Sequence, residues 1–352
     1  MARLHLALLL PFLAALSLAC GPPTDSDGTD AGGSDSGTSD GGTTDGGASD
    51  GGATDGGATD GGGSDGGGTD GGVTNPACAA LQDGWNVDFL VDGEARSFVL
   101  NLPSGAETDG PWPVVFGWHG LGGSATDFSS VLSPHVNDPN FPFIAVSPED
   151  SGLMMYGYEV DWDVFTVDAA TNKEMRLFDE ILACLEARYG VDEDRVHVTG
   201  FSLGGAMTNL TGVARGGQVA SVAAFSGAYL SNSENTAVFG PLAGMVSWPT
   251  PSHGNAYTQL LIHGGPTDSY TLSIVTLQAD VFAENDVGYL NGMGHDAILC
   301  DHGQGHSVPL YLMPATDILD FFQAHPLGTT ASPYANGLPG SLGTYCTFSA
   351  GN

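Results

Sequence analysis

Residues 195–205 have the sequence RVHVTGFSLGG, in which an apolar segment runs directly into a Gly-x-Ser-x-Gly-Gly turn. The segment before the turn predicts a β-strand, and the pattern of residues 203–213 predicts a helix. Such a sharp passage from strand to helix needs glycines, because side chains there would crowd the backbone. The turn is therefore predicted to project Ser202 above a sheet as a nucleophile.

A serine hydroxyl needs a histidine base and a carboxylate that orients the histidine. Residues 260–268, LLIHGGPTD, predict a strand and a turn that ends in Asp268. Residues 300–306, CDHGQGH, predict a strand end and a glycine-rich loop that presents His306. We therefore expect His306 to be the base and Asp268 to orient it. Four nearby residues remain alternatives for these roles: His295, His302, Asp296 and Asp301.

A second glycine-rich turn occurs early in the domain. Residues 114–123, VVFGWHGLGG, predict an apolar strand that opens into a loop. Acyl transfer needs backbone N–H groups that face the developing oxyanion. We expect the amides of Leu121 and Leu203 to be these donors, and we expect His119 to hold the loop in place without transferring a proton.

The rest of the domain alternates strand-like and helix-like segments. This pattern predicts an α/β fold with a mostly parallel central sheet flanked by helices. The predicted strands are residues 96–102, 113–118, 143–146, 195–199, 219–225, 259–262 and 297–300. The predicted helices are residues 172–188, 203–213, 272–285 and 315–325.

Three stretches resemble secreted polyhydroxybutyrate depolymerases and feruloyl esterase-like α/β-hydrolases: WHGLGG (118–123), DRVHVTGFSLGGAM (194–207) and GQGHSVP (303–309). The chain order Ser, Asp, His is also the one that α/β-hydrolases use. The resemblance implies an α/β-hydrolase fold and hydrolysis of carboxylic esters through an acyl-enzyme on Ser202, without a metal or organic cofactor. The turn HGGPTD (263–268) is one residue longer than the His-Gly-x-x-Asp expected of this group.

The resemblance also bears on the substrate, which we expect to be an ester and one that can be polymeric, such as a polyester or a feruloylated polysaccharide. Residues 227–257 are rich in Gly, Ser and Pro and are predicted to wall the binding cleft. Tyr156, Tyr158 and Trp162 are either flat faces for substrate or part of the core. Two other functions remain open: a serine peptidase of the same fold, and a surface binding protein without turnover.

The composition excludes a nucleic-acid-binding protein. The chain has 41 acidic and 7 basic side chains and a formal net charge of −34, and Lys173 is its single lysine. Binding to a phosphate backbone needs clustered basic residues, which this sequence lacks. The same charge disfavours anionic membrane surfaces and anionic polymeric substrates.

The first 75 residues differ from the rest. Residues 1–20 combine Arg3, an apolar run and Cys20, which predicts a signal peptide with a lipoprotein-type cysteine; a plain signal peptide is the alternative. Residues 21–75 contain 11 Asp and predict a disordered spacer. Residues 76–352 are predicted to be the catalytic domain. We expect a secreted protein that is lipid-anchored to a bacterial outer membrane or cell surface and touches the membrane only through that lipid.

Four cysteines remain after Cys20, namely Cys78, Cys184, Cys300 and Cys346. An even number in an exported protein predicts two disulfides, with three pairings open. Cys184 inside an amphipathic helix has a buried free thiol as its alternative state. A bridge at Cys300 would stiffen the loop that carries His306.

Overall fold

The computed structural model describes residues 76–155, 158–166, 168–250, 255–272 and 275–352. The predicted signal peptide, the lipidation at Cys20 and the predicted spacer lie outside these residues. Within the described ranges, every helix is too short or too polar to cross a lipid bilayer.

A mixed β-sheet forms the centre of the described residues. Its nine strands have the order β1-β2-β4-β3-β7-β8-β9-β12-β13, and those from β4 to β12 run parallel to one another. The strands at either side, β1, β2 and β13, pair antiparallel. The predicted α/β fold with a mostly parallel sheet is therefore confirmed.

The strands of this sheet are β1 (Gly84–Val91), β2 (Glu94–Asn101), β3 (Trp112–Trp118), β4 (Ile144–Pro148), β7 (Val191–Phe201), β8 (Ser221–Phe225), β9 (Thr258–His263), β12 (Ala297–Asp301) and β13 (Cys346–Ser349). Two small hairpins lie outside it: β5 (Leu153–Met155) with β6 (Tyr158–Val160), and β10 (Ser269–Leu272) with β11 (Val275–Gln278).

The α-helices are α1 (Ala125–Leu132), α2 (Lys173–Tyr189), α3 (Leu203–Arg215), α4 (Ser233–Thr236), α5 (Ala243–Val246), α6 (Ala279–Asn291) and α7 (Ala315–Ala324). The helix predicted at residues 272–285 is wrong at its start, because Leu272 belongs to β10, residues 275–278 form β11, and α6 begins at Ala279. That hairpin brings Tyr270 to the cavity described below.

The core lies on both faces of the sheet. Val114 and Phe116 of β3 pack with Phe178 of α2, whereas the intervening Val115 belongs to the cluster that includes Phe322 of α7. Alternate residues of a strand point to opposite faces, so one apolar strand supplies both layers. All five residues are buried. The sheet is thus covered on both sides, and the site lies at the ends of its parallel strands.

Two disulfides join Cys78 to Cys184 and Cys300 to Cys346. The predicted number of bridges is confirmed, and the free-thiol alternative for Cys184 is wrong. The first bridge connects the N-terminal 3-10 turn to α2 across a sequence separation of 106 residues. The second connects β12 to β13 at the strand that leads into the loop of His306.

Candidate active site

Ser202 lies at the sharp turn between β7 and α3. Its φ of 57° and ψ of −118° are unusual for a residue with a side chain, and such strain costs about 1–3 kcal/mol. Neighbouring strands hold the turn, since the Ser202 amide donates to the Phe225 carbonyl at 2.9 Å. A Cβ on Gly200 would lie 2.3 Å from the Gly204 carbonyl oxygen, and one on Gly204 would lie 2.1 Å from that of Trp118. The turn therefore requires these glycines.

The structure brings Ser202, His306 and Asp268 into one hydrogen-bonded chain. His306 Nε2 lies 2.9 Å from Ser202 Oγ, and His306 Nδ1 lies 2.6 Å from Asp268 Oδ1. The three residues are far apart in sequence and meet because they follow β7, β9 and β12, which are parallel strands of the same sheet. The arrangement is that of a nucleophile, a base and an orienting acid.

The buried carboxylate of Asp268 accepts several hydrogen bonds. Its Oδ2 accepts hydrogen bonds from Ser226 Oγ and from the Gly264 amide, each at 2.8 Å. Burial disfavours the charged form, but the hydrogen bonds from His306, Gly264 and Ser226 outweigh burial and lower the pKa of Asp268 below its usual value. Asp268 is therefore a carboxylate at neutral pH.

Ser226 was missed by sequence analysis. It follows β8 with a φ of 51°, which directs its hydroxyl to Asp268 on the next strand of the sheet. The sequence feature that could have identified Ser226 is its position directly after an apolar strand, but serines are common at such turns. Only the pairing of β8 with β9 places it beside the acid.

The loops of Asp268 and His306 are packed tightly against each other. The Gly305 amide donates to the Gly264 carbonyl at 2.9 Å, and a Cβ on Gly264 would lie 2.0 Å from the Gly305 oxygen. The longer acid turn forms a 3-10 turn at Gly265–Thr267 and still delivers Asp268 to His306. The extra residue is accommodated without displacing the carboxylate.

The four alternative residues have other partners. His295 Nδ1 bonds the Tyr257 carbonyl, and Asp296 accepts from the amides of Ser332 and Gly351. His302 Nδ1 accepts from the Gln304 amide, and Asp301 accepts from the Gly303 amide. The contacts of His302 and Asp301 order the loop that carries His306, whereas His295 and Asp296 lie before β12, at the opposite ends of the parallel strands from the site. His306 is the histidine that reaches Ser202.

The backbone around the expected oxyanion site approaches Ser202 closely. A Cβ on Gly120 would lie 3.5 Å from Ser202 Cβ, and both Leu121 and Leu203 line the cavity beside Ser202. Leu203 is the first residue of α3, and amides in the first turn of a helix have no intrahelical acceptor. The positive end of the helix dipole lies at the same place. The amide of Leu203 is therefore suited to bind a developing negative charge, and Leu121 lines the same cavity.

Polar contacts brace the loop of Leu121 from behind. The Gly122 amide donates to Asp161 Oδ2 at 2.6 Å, and Trp162 Nε1 donates to the His119 carbonyl at 2.9 Å. Trp162 is fully buried and packs edge-on against Trp118. It is thus part of the core and presents no face to substrate; Tyr156 and the side chain of Tyr158 lie outside the described residues.

A cavity of about 340 Å³ opens beside Ser202 and His306. Its walls are largely apolar and include Leu121, Val160, Val164, Phe165, Leu203, Ala206, Ala228, Leu230, Phe239, Val246, Leu277 and Phe282. Four of these, from Ala228 to Val246, belong to residues 227–257, so the prediction that this segment walls the cleft is confirmed.

Parts of this chain are similar in sequence to known hydrolases. Residues 107–240 match the family model described as phospholipase/carboxylesterase. Feruloyl esterase D of Neurospora crassa is 28% identical over 160 residues, which cover 43% of this chain and 52% of that protein. Probable feruloyl esterase C of Aspergillus terreus is 29% identical over 143 residues, or 40% of this chain and 49% of that protein. The chain spans about half the length of these two relatives.

The fold is shared with solved structures. The crystal structure of native sOPH superposes with a TM-score of 0.60 at 19% identity, covering 77% of this chain and 95% of the other. Native pOPH gives a TM-score of 0.58 over the same shares. The shared fold is that of the α/β-hydrolases, and parts of the chain are similar in sequence to phospholipases/carboxylesterases and feruloyl esterases.

Proposed function

We propose that this chain hydrolyses carboxylic esters through an acyl-enzyme on Ser202. The observation that carries the proposal is the hydrogen-bonded chain from Ser202 through His306 to Asp268. A buried carboxylate with a lowered pKa holds one ring nitrogen of the histidine, and the other ring nitrogen faces the hydroxyl. This is the arrangement that activates a serine for acyl transfer.

The steps follow from the positions of these groups. Ser202 Oγ attacks the ester carbonyl carbon while His306 Nε2 takes its proton. The carbonyl oxygen becomes an oxyanion that accepts hydrogen bonds from the amides of Leu121 and Leu203. His306 then gives the proton to the alkoxide leaving group, so that an alcohol departs and the acyl group stays on Ser202. Water repeats the sequence and releases the acid.

Asp268 has two roles in this scheme. Its hydrogen bond keeps the proton of neutral His306 on Nδ1, so that Nε2 faces Ser202 with a lone pair. Its negative charge stabilises the imidazolium that forms after proton transfer. The donors from Ser226 and Gly264 hold the carboxylate in this orientation.

The apolar cavity favours an ester with an apolar acyl group. Burial of each methylene in such a cavity contributes about 0.8 kcal/mol. A charged acyl group would lose its solvation there without a partner of opposite charge, and the net charge of the chain would oppose an anionic polymer as well. Neutral polyesters and feruloyl or acetyl esters of glycans fit these conditions.

We further propose that the enzyme is exported and attached through lipid on Cys20. The two disulfides fit an extracellular protein, because such bridges persist in oxidising compartments. The segment that would carry the lipid lies outside the described residues, so metabolic labelling with a fatty-acid analogue is the test. A Cys20→Ser variant should lose the label, and a label retained by that variant would contradict the attachment site.

The activity is tested with p-nitrophenyl acetate and butyrate, methyl ferulate and a polyhydroxybutyrate film. Ser202→Ala should lower kcat by about 10⁴- to 10⁶-fold. Ser269→Ala is the matched control, because Ser269 also lines the cavity but lies outside the hydrogen-bonded chain. Cleavage of peptide substrates but not esters would favour a peptidase, and inert wild-type protein that binds ligand would favour a binding protein.

A further inference from the structure

We propose that His119, Glu149 and Asp150 bind a divalent transition metal ion of the Zn²⁺ or Mn²⁺ type, separately from the site of Ser202. His119 follows β3, and the two acids follow β4, which is the neighbouring strand. One ligand atom from each side chain lies within 4.8 Å of the other two. The proposal does not depend on the esterase activity.

The protonation of His119 follows from its partner. Nδ1 lies 2.9 Å from the Gly120 carbonyl oxygen, which can only accept a hydrogen bond, so the proton is on Nδ1. In a neutral imidazole the other nitrogen, Nε2, then carries a lone pair. The side chain is fully buried, and Nε2 has no hydrogen-bond partner among the described residues. A buried acceptor without a partner is unfavourable, because it has lost its hydrogen bonds to water.

Asp150 faces this lone pair with another acceptor. Its Oδ2 lies 3.8 Å from His119 Nε2, which is too far for a hydrogen bond. Its Oδ1 accepts from the Gly152 amide at 2.7 Å, and this contact fixes the carboxylate. Two acceptors that face each other across a mostly buried gap repel unless a positive group lies between them. A metal ion is such a group.

The ligand set fits an ion that accepts both nitrogen and oxygen. Imidazole suits Zn²⁺ and similar ions, and carboxylates suit Mn²⁺ as well as Zn²⁺. Two ligand atoms that each lie about 2.1 Å from Zn²⁺ are at most about 4.2 Å apart. The distance of 3.8 Å between Nε2 and Oδ2 is within this range.

The carboxylate of Glu149 is oriented by a hydrogen bond, as is usual for a carboxylate that binds a metal ion. Its Oε2 accepts a hydrogen bond from the Ala125 amide at 2.7 Å, and such contacts orient ligating carboxylates. Glu149 and Asp150 are only half-buried, so water can complete the coordination. A bound ion would tie the loop of Leu121 to the end of β4 and hold the expected oxyanion site from behind.

The test uses full-length protein without a histidine tag, stripped with EDTA and titrated with Zn²⁺ and Mn²⁺ by calorimetry. The many acidic residues will bind cations weakly, so matched variants are needed. Asp150→Asn removes a ligand, whereas Glu193→Gln removes one exposed charge elsewhere. We expect one tight equivalent in wild type and in Glu193→Gln, and an affinity lowered at least tenfold in Asp150→Asn.

Two further readouts keep the result interpretable. The ion should raise the melting temperature of wild type and Glu193→Gln but not of Asp150→Asn, and Glu149→Gln provides a second ligand variant should Asp150→Asn fold poorly. Nitrogen-15 spectra of histidine should show the His119 Nε2 signal move on addition of Zn²⁺. Weak binding that is equal in all variants, or an His119 ring protonated on both nitrogens in the stripped and loaded protein alike, would overturn the proposal.

Discussion

The loops that carry the reacting groups differ in construction from the segment that walls the cavity. Ser202, Asp268 and His306 are positioned by backbone contacts and glycines that admit no side chain, as at Gly204 and Gly264. The wall between Ala228 and Val246 is built instead from apolar side chains on a loop and on short helical turns. The backbone thus fixes the positions of Ser202, Asp268 and His306, whereas side chains form the wall of the cavity beside them.

The largest effect in this set is the loss of activity expected when the negative charge of Asp268 is removed. Asp268→Asn keeps the shape but removes the negative charge and places His306 in the wrong tautomer, so kcat should fall by about 10⁴-fold. The melting temperature should change far less than the activity. Steady-state kinetics and a thermal melt of the same sample measure both, and a loss below tenfold would contradict the assigned role.

The second effect is the loss of stability expected when a glycine of the Ser202 turn is replaced. Gly204→Ala would place a Cβ 2.1 Å from the Trp118 oxygen, so the free energy of unfolding should fall by about 3 kcal/mol or more. Gly217→Ala is the control, because a Cβ there meets nothing within 4 Å. Urea unfolding measures both variants. Equal stability of the two would show that the turn relaxes and that backbone contacts do not fix Ser202.

A third prediction concerns the wall. Asp286 of α6 accepts hydrogen bonds from the Tyr229 amide, Asn232 and Asn235, and so anchors the segment that carries Leu230. Asp286→Ala should remove these three hydrogen bonds, leave the Tyr229 amide and the Asn232 side-chain amide without an acceptor, and lower the free energy of unfolding by about 2–3 kcal/mol. KM should rise more than kcat falls, because the wall moves while Ser202 and His306 stay in place.

The same carboxyl group gives a pH dependence. Burial raises the pKa of Asp286 from its ordinary value to about 7. Its stabilising contribution is therefore present below about pH 4 and is lost as pH rises towards about 7. Urea unfolding between pH 4 and 8 should show this decline in wild type and in Glu284→Ala, which removes an exposed acid of the same helix, but not in Asp286→Ala.

The smallest effect is expected at Ser226. Ser226→Ala removes one of the hydrogen bonds that lower the pKa of Asp268, so kcat/KM should fall about tenfold. A lowered pKa stabilises the fold above the ordinary pKa, and this contribution is lost as pH falls. With a less depressed pKa, acid unfolding of the variant should begin at a higher pH than in Ser269→Ala. If the pH midpoint of acid unfolding were the same in both variants, Ser226 would not help to lower the pKa of Asp268.

The sequence predicted those parts of the site that depend on local backbone chemistry. The turn around Ser202 is encoded by glycines within a few residues, and the strands before Asp268 and His306 are short apolar runs. Their places just after these strands then favoured Asp268 and His306 over the four alternatives His295, His302, Asp296 and Asp301. All three lie where the loops after parallel strands were expected.

What the sequence did not predict depends on contacts between distant segments. Ser226 acts on Asp268 only because β8 pairs with β9. The helix predicted from residue 272 begins only at Ala279, because residues 275–278 form β11 and pair with β10 before α6 begins. The edge strand β13 was also missed, since its pairing to β12 brings together residues about fifty positions apart.

The role of Ser202 as the nucleophile is tested most directly by mapping the site of covalent labelling. Wild-type protein would be treated with a fluorophosphonate, digested and analysed by mass spectrometry, with Ser202→Ala and Ser269→Ala in parallel. We expect one equivalent of label on Ser202 in wild type and in Ser269→Ala, and none in Ser202→Ala. Ester hydrolysis that persists in Ser202→Ala, or a label on another serine, would contradict it.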